Sequence, residues 1–447
     1  MRRGSLAPGK AGALLAASCA ALLLAGCDTF FGAPEEPPLP GERVSVLRLD
    51  RTLVADPSIS DLRVRLPKPY ENAAWPQPGG EPSHAMHHLA LPETLTVQWT
   101  ADVGEAASDS QRLLSEPVVA DGRVYTMDAA SVVSAFDAGS GKQLWRVDLT
   151  PEDEDDDLFG GGVAVDGDKL YVTTPFARVF ALNAATGETV WESAVPAPMR
   201  SAPTVSDGRV FIHTIDNQLL ALAADDGRRL WTHSVTSESA GLLGGAAPAV
   251  IGNTVMAAYS SGELYALRAE TGRVLWNENL AGVQRSDALS TLADIRGRPV
   301  ADRDLVIAVS HSGLLAAIDL RRGSRVWDRD IGGTQSPWVA GDFVYVLDNN
   351  GELICLTRDD GRVRWIQSLP KWEDEENQED PIYWAGPVLG GDRLIVVGST
   401  GQALSISPYT GEILGAIDLP SAAHLPPVVA NGTLYFLADD ARLVAMR

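Results

Sequence analysis

Cysteine is nearly absent from this chain: Cys19, Cys27 and Cys355 are the only three in 447 residues. Positive charge is also short, with 36 Lys and Arg against 59 Asp and Glu and a formal net charge of −23. A surface this acidic excludes a nucleic-acid binder and does not hold anionic lipid by charge. After the N-terminus no stretch is long and apolar enough to cross a bilayer. Catalytic signatures are missing too. There is no Gly-x-Ser-x-Gly elbow, no His-Glu-x-x-His pair, no Cys-x-x-Cys and no phosphate-cradling glycine loop. Gly160-Gly161-Gly162 and Gly244-Gly245 precede expected inner strands, where close backbone approach is the simpler reason for glycine. No catalytic residue, metal site or cofactor is expected.

What is present begins with an address. Arg2, Arg3 and Lys10 precede an apolar Ala/Leu run over residues 11–25, which reads as a secretion signal over 1–26. It ends in Leu24-Ala25-Gly26-Cys27, which looks like a bacterial lipobox, so Cys27 is the expected lipidation site and the first mature residue. The blander alternative is an ordinary signal peptide with a chance cysteine. Loss of the three basic residues takes the charge from −23 to −26. Cys19 leaves with the signal and Cys27 is consumed by lipid, so no disulfide forms within the folded body. Cys355, in Glu352-Leu353-Ile354-Cys355-Leu356, reads as a buried inert thiol.

A repeat organises the rest. A Gly followed four residues later by Trp occurs as Gly141/Trp145, Gly187/Trp191, Gly227/Trp231, Gly272/Trp276, Gly323/Trp327 and Gly361/Trp365. A seventh copy keeps Gly411 but carries Gly415 where Trp is due. Alternating runs such as Lys169-Leu170-Tyr171-Val172 precede each copy and imply half-buried strands. The Gly supplies a positive-φ turn, and the Trp gives each unit a large side chain to bury against its neighbour. Trp99 and the six repeat tryptophans, then Gly415, stand 46, 46, 40, 45, 51, 38 and 50 residues apart. Such periods, with several strands in each, indicate an all-β propeller of four-stranded blades. The chain stops at residue 447 where a last Trp strand is due, while the strand around Trp99 has no blade before it. Pairing 94–103 with the C-terminal blade gives an eight-bladed propeller over 94–447 and hides both open edges.

Residues 27–93 hold 11 of the 28 prolines and read as an extended tether, part of which packs if Trp75-Pro76-Gln77-Pro78 seats on the propeller. His84, His87 and His88 lie there as a solvated cluster without a third metal-binding element. The acidic runs Glu152 to Asp157 and Glu373 to Asp380 fall between blades and read as solvated loops, lacking the spacing of a calcium site. Long connections at 236–246 and 281–298 are the natural places for a partner to dock.

The repeat is similar to that of the quinoprotein dehydrogenases, the PQQ-like repeat, but the adjacent Cys-Cys pair of those enzymes is absent. A closer resemblance is to the BamB family, lipoproteins of the outer-membrane β-barrel assembly machinery. It is carried by Phe211-Ile212-His213-Thr214, Tyr345-Val346-Leu347-Asp348-Asn349-Asn350, the loop ending at Asp294, the eight-unit closure and the lipobox. The resemblance implies a non-catalytic scaffold on the periplasmic face of the outer membrane. It would bind a POTRA domain of the barrel-forming subunit and help insert nascent outer-membrane proteins.

The family's binding loops fall on Ser239-Ala240-Gly241-Leu242-Leu243-Gly244-Gly245 and Leu292-Ala293-Asp294-Ile295-Arg296. Leu242 and Asp294 match family residues. The family's binding arginine falls on Leu243, and its second acid on Arg296, as if the charges were exchanged between the loops. Leu242, Leu243, Asp294 and Arg296 are thus the expected partner-binding residues, an apolar anchor with a polar rim. The plainer alternative is that both leucines cover a blade edge. Two other functions stay open: a periplasmic quinoprotein-type oxidoreductase, and a binding propeller of another envelope complex, the latter because Asp28 directly follows Cys27.

Overall fold

Alternating sequence becomes antiparallel strands here because each repeat can bury its side chains only between two neighbouring repeats. A computed structural model describes residues 53–447 except 109–110, 153, 155–157, 159, 238–240 and 282–291. Eight four-stranded antiparallel sheets run in sequence order, inner strand to outer. Blades 1 to 7 span 118–148, 162–194, 204–234, 249–279, 300–329, 338–368 and 384–418. Blade 8 joins Val428–Ala430, Thr433–Leu437 and Arg442–Met446 to Val97–Asp102 from the other end of the chain. The ring closes as expected. The expected half-burial holds only for the outer strands, such as Gln143–Asp148. Second strands such as Phe343–Leu347 are buried along their whole length, because a blade is covered on both faces by its neighbours.

The glycine and the tryptophan of the repeat serve different blades. Each Trp lies over the turn glycine of the following blade: Trp99 on Gly141, Trp145 on Gly187, Trp191 on Gly227, Trp231 on Gly272, Trp276 on Gly323, Trp327 on Gly361 and Trp365 on Gly411. A Cβ at Gly227 would stand 2.6 Å from the Trp191 ring, and its φ is +71°, so two constraints demand glycine. Every one of these indoles also donates to a turn carbonyl of the next blade, at 2.7–3.1 Å. Within its own blade each Trp pairs with a small residue, Ala135, Ala181, Ala221, Ala266, Ala317, Cys355 or Ala445. Cys355 therefore stands where the repeat needs a small side chain, and burial pushes its thiol pKa up.

Gly415 breaks the pattern for a topological reason. The turn that a tryptophan there would cover does not exist in blade 8, whose third and fourth strands come from opposite ends of the chain. Chain termini pair instead, Thr96 N to Arg447 O at 2.9 Å and Arg447 N to Thr96 O at 3.0 Å.

The largest departure from expectation is at 54–93, which is no tether. The remainder of that segment, with Cys27 and the signal peptide, lies outside the described residues. Residues 70–91 form a ring across one end of the central channel and meet the inner end of every blade in turn. Asn72 O accepts from Asn431 N of blade 8, and Trp75 pairs both ways with Val119 of blade 1. Pro76 O, Gln77 Oε1, Pro82 O and Ser83 O accept from Val165, Val205, Val250 and Ala301 of blades 2 to 5. His87 O accepts from Trp338 Nε1 of blade 6, and Leu89 O from Gly391 N of blade 7. The ring then closes on itself, Tyr70 N donating to His88 O and Ala90 N to Tyr70 O. Each bond contributes about 1 kcal/mol net, and the inner-strand N–H groups would otherwise face the channel.

The histidines of this segment are built in rather than solvated. His84 Nδ1 donates to Pro299 O at 2.8 Å and His88 Nδ1 to Pro67 O at 2.8 Å. The second acidic run also has structure: Trp372–Asp374 and Glu379–Pro381 pair as an exposed hairpin. Most of the first run, at 153 and 155–157, lies outside the described residues.

Candidate partner-binding face

The loops before blades 4 and 5 emerge at the opposite end of the inner strands from the ring. Ser239, Ala240, Ser290 and Thr291 lie outside the described residues, and the rest of both loops interlock. Asp294 Oδ2 accepts from Leu242 N at 2.8 Å, and Arg296 Nε donates to Leu243 O at 2.6 Å. Asp294 is only 8% exposed. Burial pushes its carboxyl pKa up, opposed by the Leu242 N–H and the Arg296 charge. This acid is therefore committed within the protein and is not a free contact group. Leu242 is half-buried, while Leu243 is 38% and Ile215 47% exposed. The structure thus brings all four expected residues together, as a latch in which the charged pair holds the backbone that carries Leu243.

Beneath the latch, between blades 3 and 4, lies an open pocket of roughly 780 Å³ including its mouth, lined by Arg200, His213, Asn217, Leu242 and Asp294 among others. His213 is buried edge-on to Tyr259 at 4.7 Å, and burial lowers its pKa to about 4. A second cavity, the central channel, encloses roughly 970 Å³ including its open mouth, with Trp75, Pro78, Gly79 and His84 of the ring as floor. Its walls form two tiers at equivalent repeat positions. Four residues before the first inner-strand residue stand Leu114, Arg200, Gly245, Arg296, Thr334 and His424. Two residues further on stand Glu116, Ala202, Ala247, Arg298, Ser336 and Pro426. Arg298 of the blade 5 connection reaches Glu116 of the opposite blade 1 connection at 2.5 Å, a spoke across the channel.

Arg200 and Ile215 were not singled out from the sequence. Arg200 was findable by laying the repeats in register, which aligns it with Arg296. Ile215 had no such signal, because its exposure follows from the turn after the second strand of blade 3.

These features define a class: a closed eight-bladed propeller with a sealed channel end and an open loop face. A family model described as "Outer membrane protein assembly factor BamB" matches residues 90–155, 129–367 and 371–447. The chain belongs to the BamB family. It is 32% identical over 360 residues to the outer membrane protein assembly factor BamB of Salmonella typhimurium, covering 79% of this chain and 89% of that one. The Yersinia pestis protein of the same name is 30% identical over 356 residues, covering 78% and 88%. Among solved structures, BamB from Moraxella catarrhalis superposes with a TM-score of 0.64 at 20% identity, covering 79% of this chain and 98% of that one. A quinohemoprotein alcohol dehydrogenase from Comamonas testosteroni gives 0.61 at 16% identity, covering 83% and 80%, which is a likeness of fold. The matches to the family model begin at residue 90, so the ring at 70–89 precedes them.

Proposed function

We propose that this chain is a non-catalytic scaffold of the outer-membrane β-barrel assembly machinery. In this reading it is a lipoprotein held at the periplasmic face of the outer membrane through Cys27. It binds the POTRA region of the barrel-forming subunit and assists insertion of nascent outer-membrane proteins. The names of its relatives support the assembly role. The observation that carries the docking site is the latch, which holds an exposed leucine on the loop face, where Ile215 is a second exposed apolar residue.

The latch also accounts for the departure from the family pattern. Arg296 bonds the carbonyl of Leu243, so a guanidinium stands beside the position where the family has its binding arginine. Leu243 and Ile215 serve as the apolar anchor, Arg296 as charged rim, and Asp294 and Leu242 as supports that fix the loop. No separate observation favours the oxidoreductase reading over this one.

The test is capture of the tagged chain from membranes solubilised in mild detergent, with the barrel-forming subunit as readout. Leu243→Glu combined with Ile215→Glu is expected to reduce retention by at least about tenfold, since burying an uncompensated carboxylate at an anchor costs more than 1.4 kcal/mol. Full retention by the double variant would remove the docking site from this face.

A further inference from the structure

The chain enters the propeller at a defined place, at the ring end of blade 6. Twenty-six residues, 28–53, separate Cys27 from Val54. From Val54 the segment crosses the turns of that blade from its outer strand inward. Asp56 N donates to Val363 O, at the start of the outer strand, at 2.8 Å, and Arg364 Nε donates to Leu62 O at 2.7 Å. Pro67 then lies over Gly341, in the turn after the inner strand, where a Cβ would stand 3.1 Å from the proline ring. The segment is thus fixed to the blade along its length and runs on into the ring at 70–91. It lies at the opposite end of the strands from the loops that carry Leu243 and Ile215.

What this strip exposes suits a layer of lipid headgroups. Val54 is 67%, Leu62 39% and Tyr70 42% exposed. Among them stand Arg63, Arg65 and Lys68, all exposed and none with an ion-pair partner among the described residues. The acids of the blade turns beside them are already used: Asp342, Asp359 and Asp360 pair with Arg303, Arg358 and Arg362. Residues 54–71 hold three bases against three acids, one of which, Asp56, is spent on Ser58 N and Oγ, in a chain with 36 bases against 59 acids. At the loop end, by contrast, the hairpin at 372–381 holds six acids and no base. Apolar and aromatic side chains interspersed with free cations match the interface between headgroups and acyl chains.

On the reading of Cys27 as the lipid anchor, we infer that residues 54–70 are the surface on which the propeller rests against phospholipid headgroups. Arg63, Arg65 and Lys68 meet the headgroup phosphates, and Val54, Leu62 and Tyr70 lie among the headgroups. The acyl chains supply the affinity and the strip supplies the orientation. A chain of net charge −23 is repelled by an anionic leaflet except where its acids are balanced, so this strip is the side that turns toward lipid. The loop face then points away from the bilayer, toward the aqueous space from which a soluble partner domain reaches Leu243.

The test uses two single-cysteine variants of the full chain, Ser60→Cys on the strip and Tyr383→Cys at the loop end, both at exposed positions. Cys355 is fully buried and takes no label. Each variant is labelled with a fluorescent dye and incorporated into phosphatidylcholine vesicles containing phosphatidylglycerol and a lipid with a nitroxide quencher on its headgroup. Quenching at position 60 is expected to exceed that at 383 at least about threefold, and equal or stronger quenching at 383 overturns the orientation. Each cation near an anionic surface favours the lipid-facing pose about fivefold. Arg63→Gln, Arg65→Gln and Lys68→Gln together are therefore expected to lower quenching at 60 at least about twofold, with the melting temperature and vesicle association retained. Unchanged quenching in that triple variant would likewise overturn the assignment. Flotation of the vesicles reads the anchor separately: a chain that floats without a difference between the two labels has an anchor and no strip, whereas one that fails to float loses both.

Discussion

At one end of the inner strands all eight blades bond to a single ring of chain, residues 70–91; at the other stand the loops that connect the blades, with Arg298 reaching Glu116 across the channel. The ring end has large buried side chains, Trp75, Met86 and Leu89, and backbone carbonyls that accept from the blades. The loop end has the exposed Leu243 and Ile215, two rim arginines, and an acid and an arginine used to hold a loop. The buried ring contacts and the exposed apolar and charged groups thus lie at opposite ends of the same short strands. The contrast teaches where substitutions should be felt as folding and where as binding.

The ring end should give the largest response. Trp75→Ala removes a side chain 2% exposed that stacks on Trp338, and a loss of about 3–5 kcal/mol is expected by chemical denaturation. A change below about 1 kcal/mol would mean that the ring is an ornament on an already closed propeller.

Acid should act at both ends, through His84 at the ring and His213 under the loops. Burial lowers the pKa of His84 at the ring to about 3 and that of His213 under the loops to about 4. Both are neutral when folded and ordinary, near 6.5, when unfolded. The unfolded state therefore binds more protons below pH 6.5, so stability is full above that value and falls as pH drops toward 4. Each histidine sets a slope of up to about 1.4 kcal/mol per pH unit. Melting curves from pH 7 to 4.5 test this, and His213→Gln should flatten the slope while leaving the His84 share in place. An unaltered slope would show that His213 is protonated in the fold.

Asp294→Ala should have the smallest effect on folding, about 1–2 kcal/mol for one lost buried hydrogen bond. It is expected to raise hydrogen exchange at the Leu242 amide and to weaken partner retention through loop disorder. Retention lost without any change in exchange would make Asp294 a direct contact group and would sink the latch.

Much of the fold was legible because the repeat is a local code. Trp191 and Gly227 follow from the needs of one seam, and the same needs recur down the chain. Even the missing tryptophan at 415 points to the closure, since the turn it would cover is absent where the two chain ends meet. The ring was not legible. Residues 70–91 have no period and many prolines, so they look like a tether until the ends of eight strands are placed around them. Of the candidate site, the sequence named the two loops that the structure interlocks, but Asp294 reads as a surface acid in the sequence and is a buried brace in the structure.

What the sequence determined by itself is the number of blades and the way the ring closes, because turn glycines, small partners and tryptophans act between residues that the repeat itself brings together. What only the tertiary structure decided is which end of the channel is sealed and which groups remain free at the other. Those depend on contacts between segments far apart in the chain, such as Ser83 with Ala301 and Glu116 with Arg298. No local pattern encodes such pairs, because their geometry exists only once eight blades share one axis.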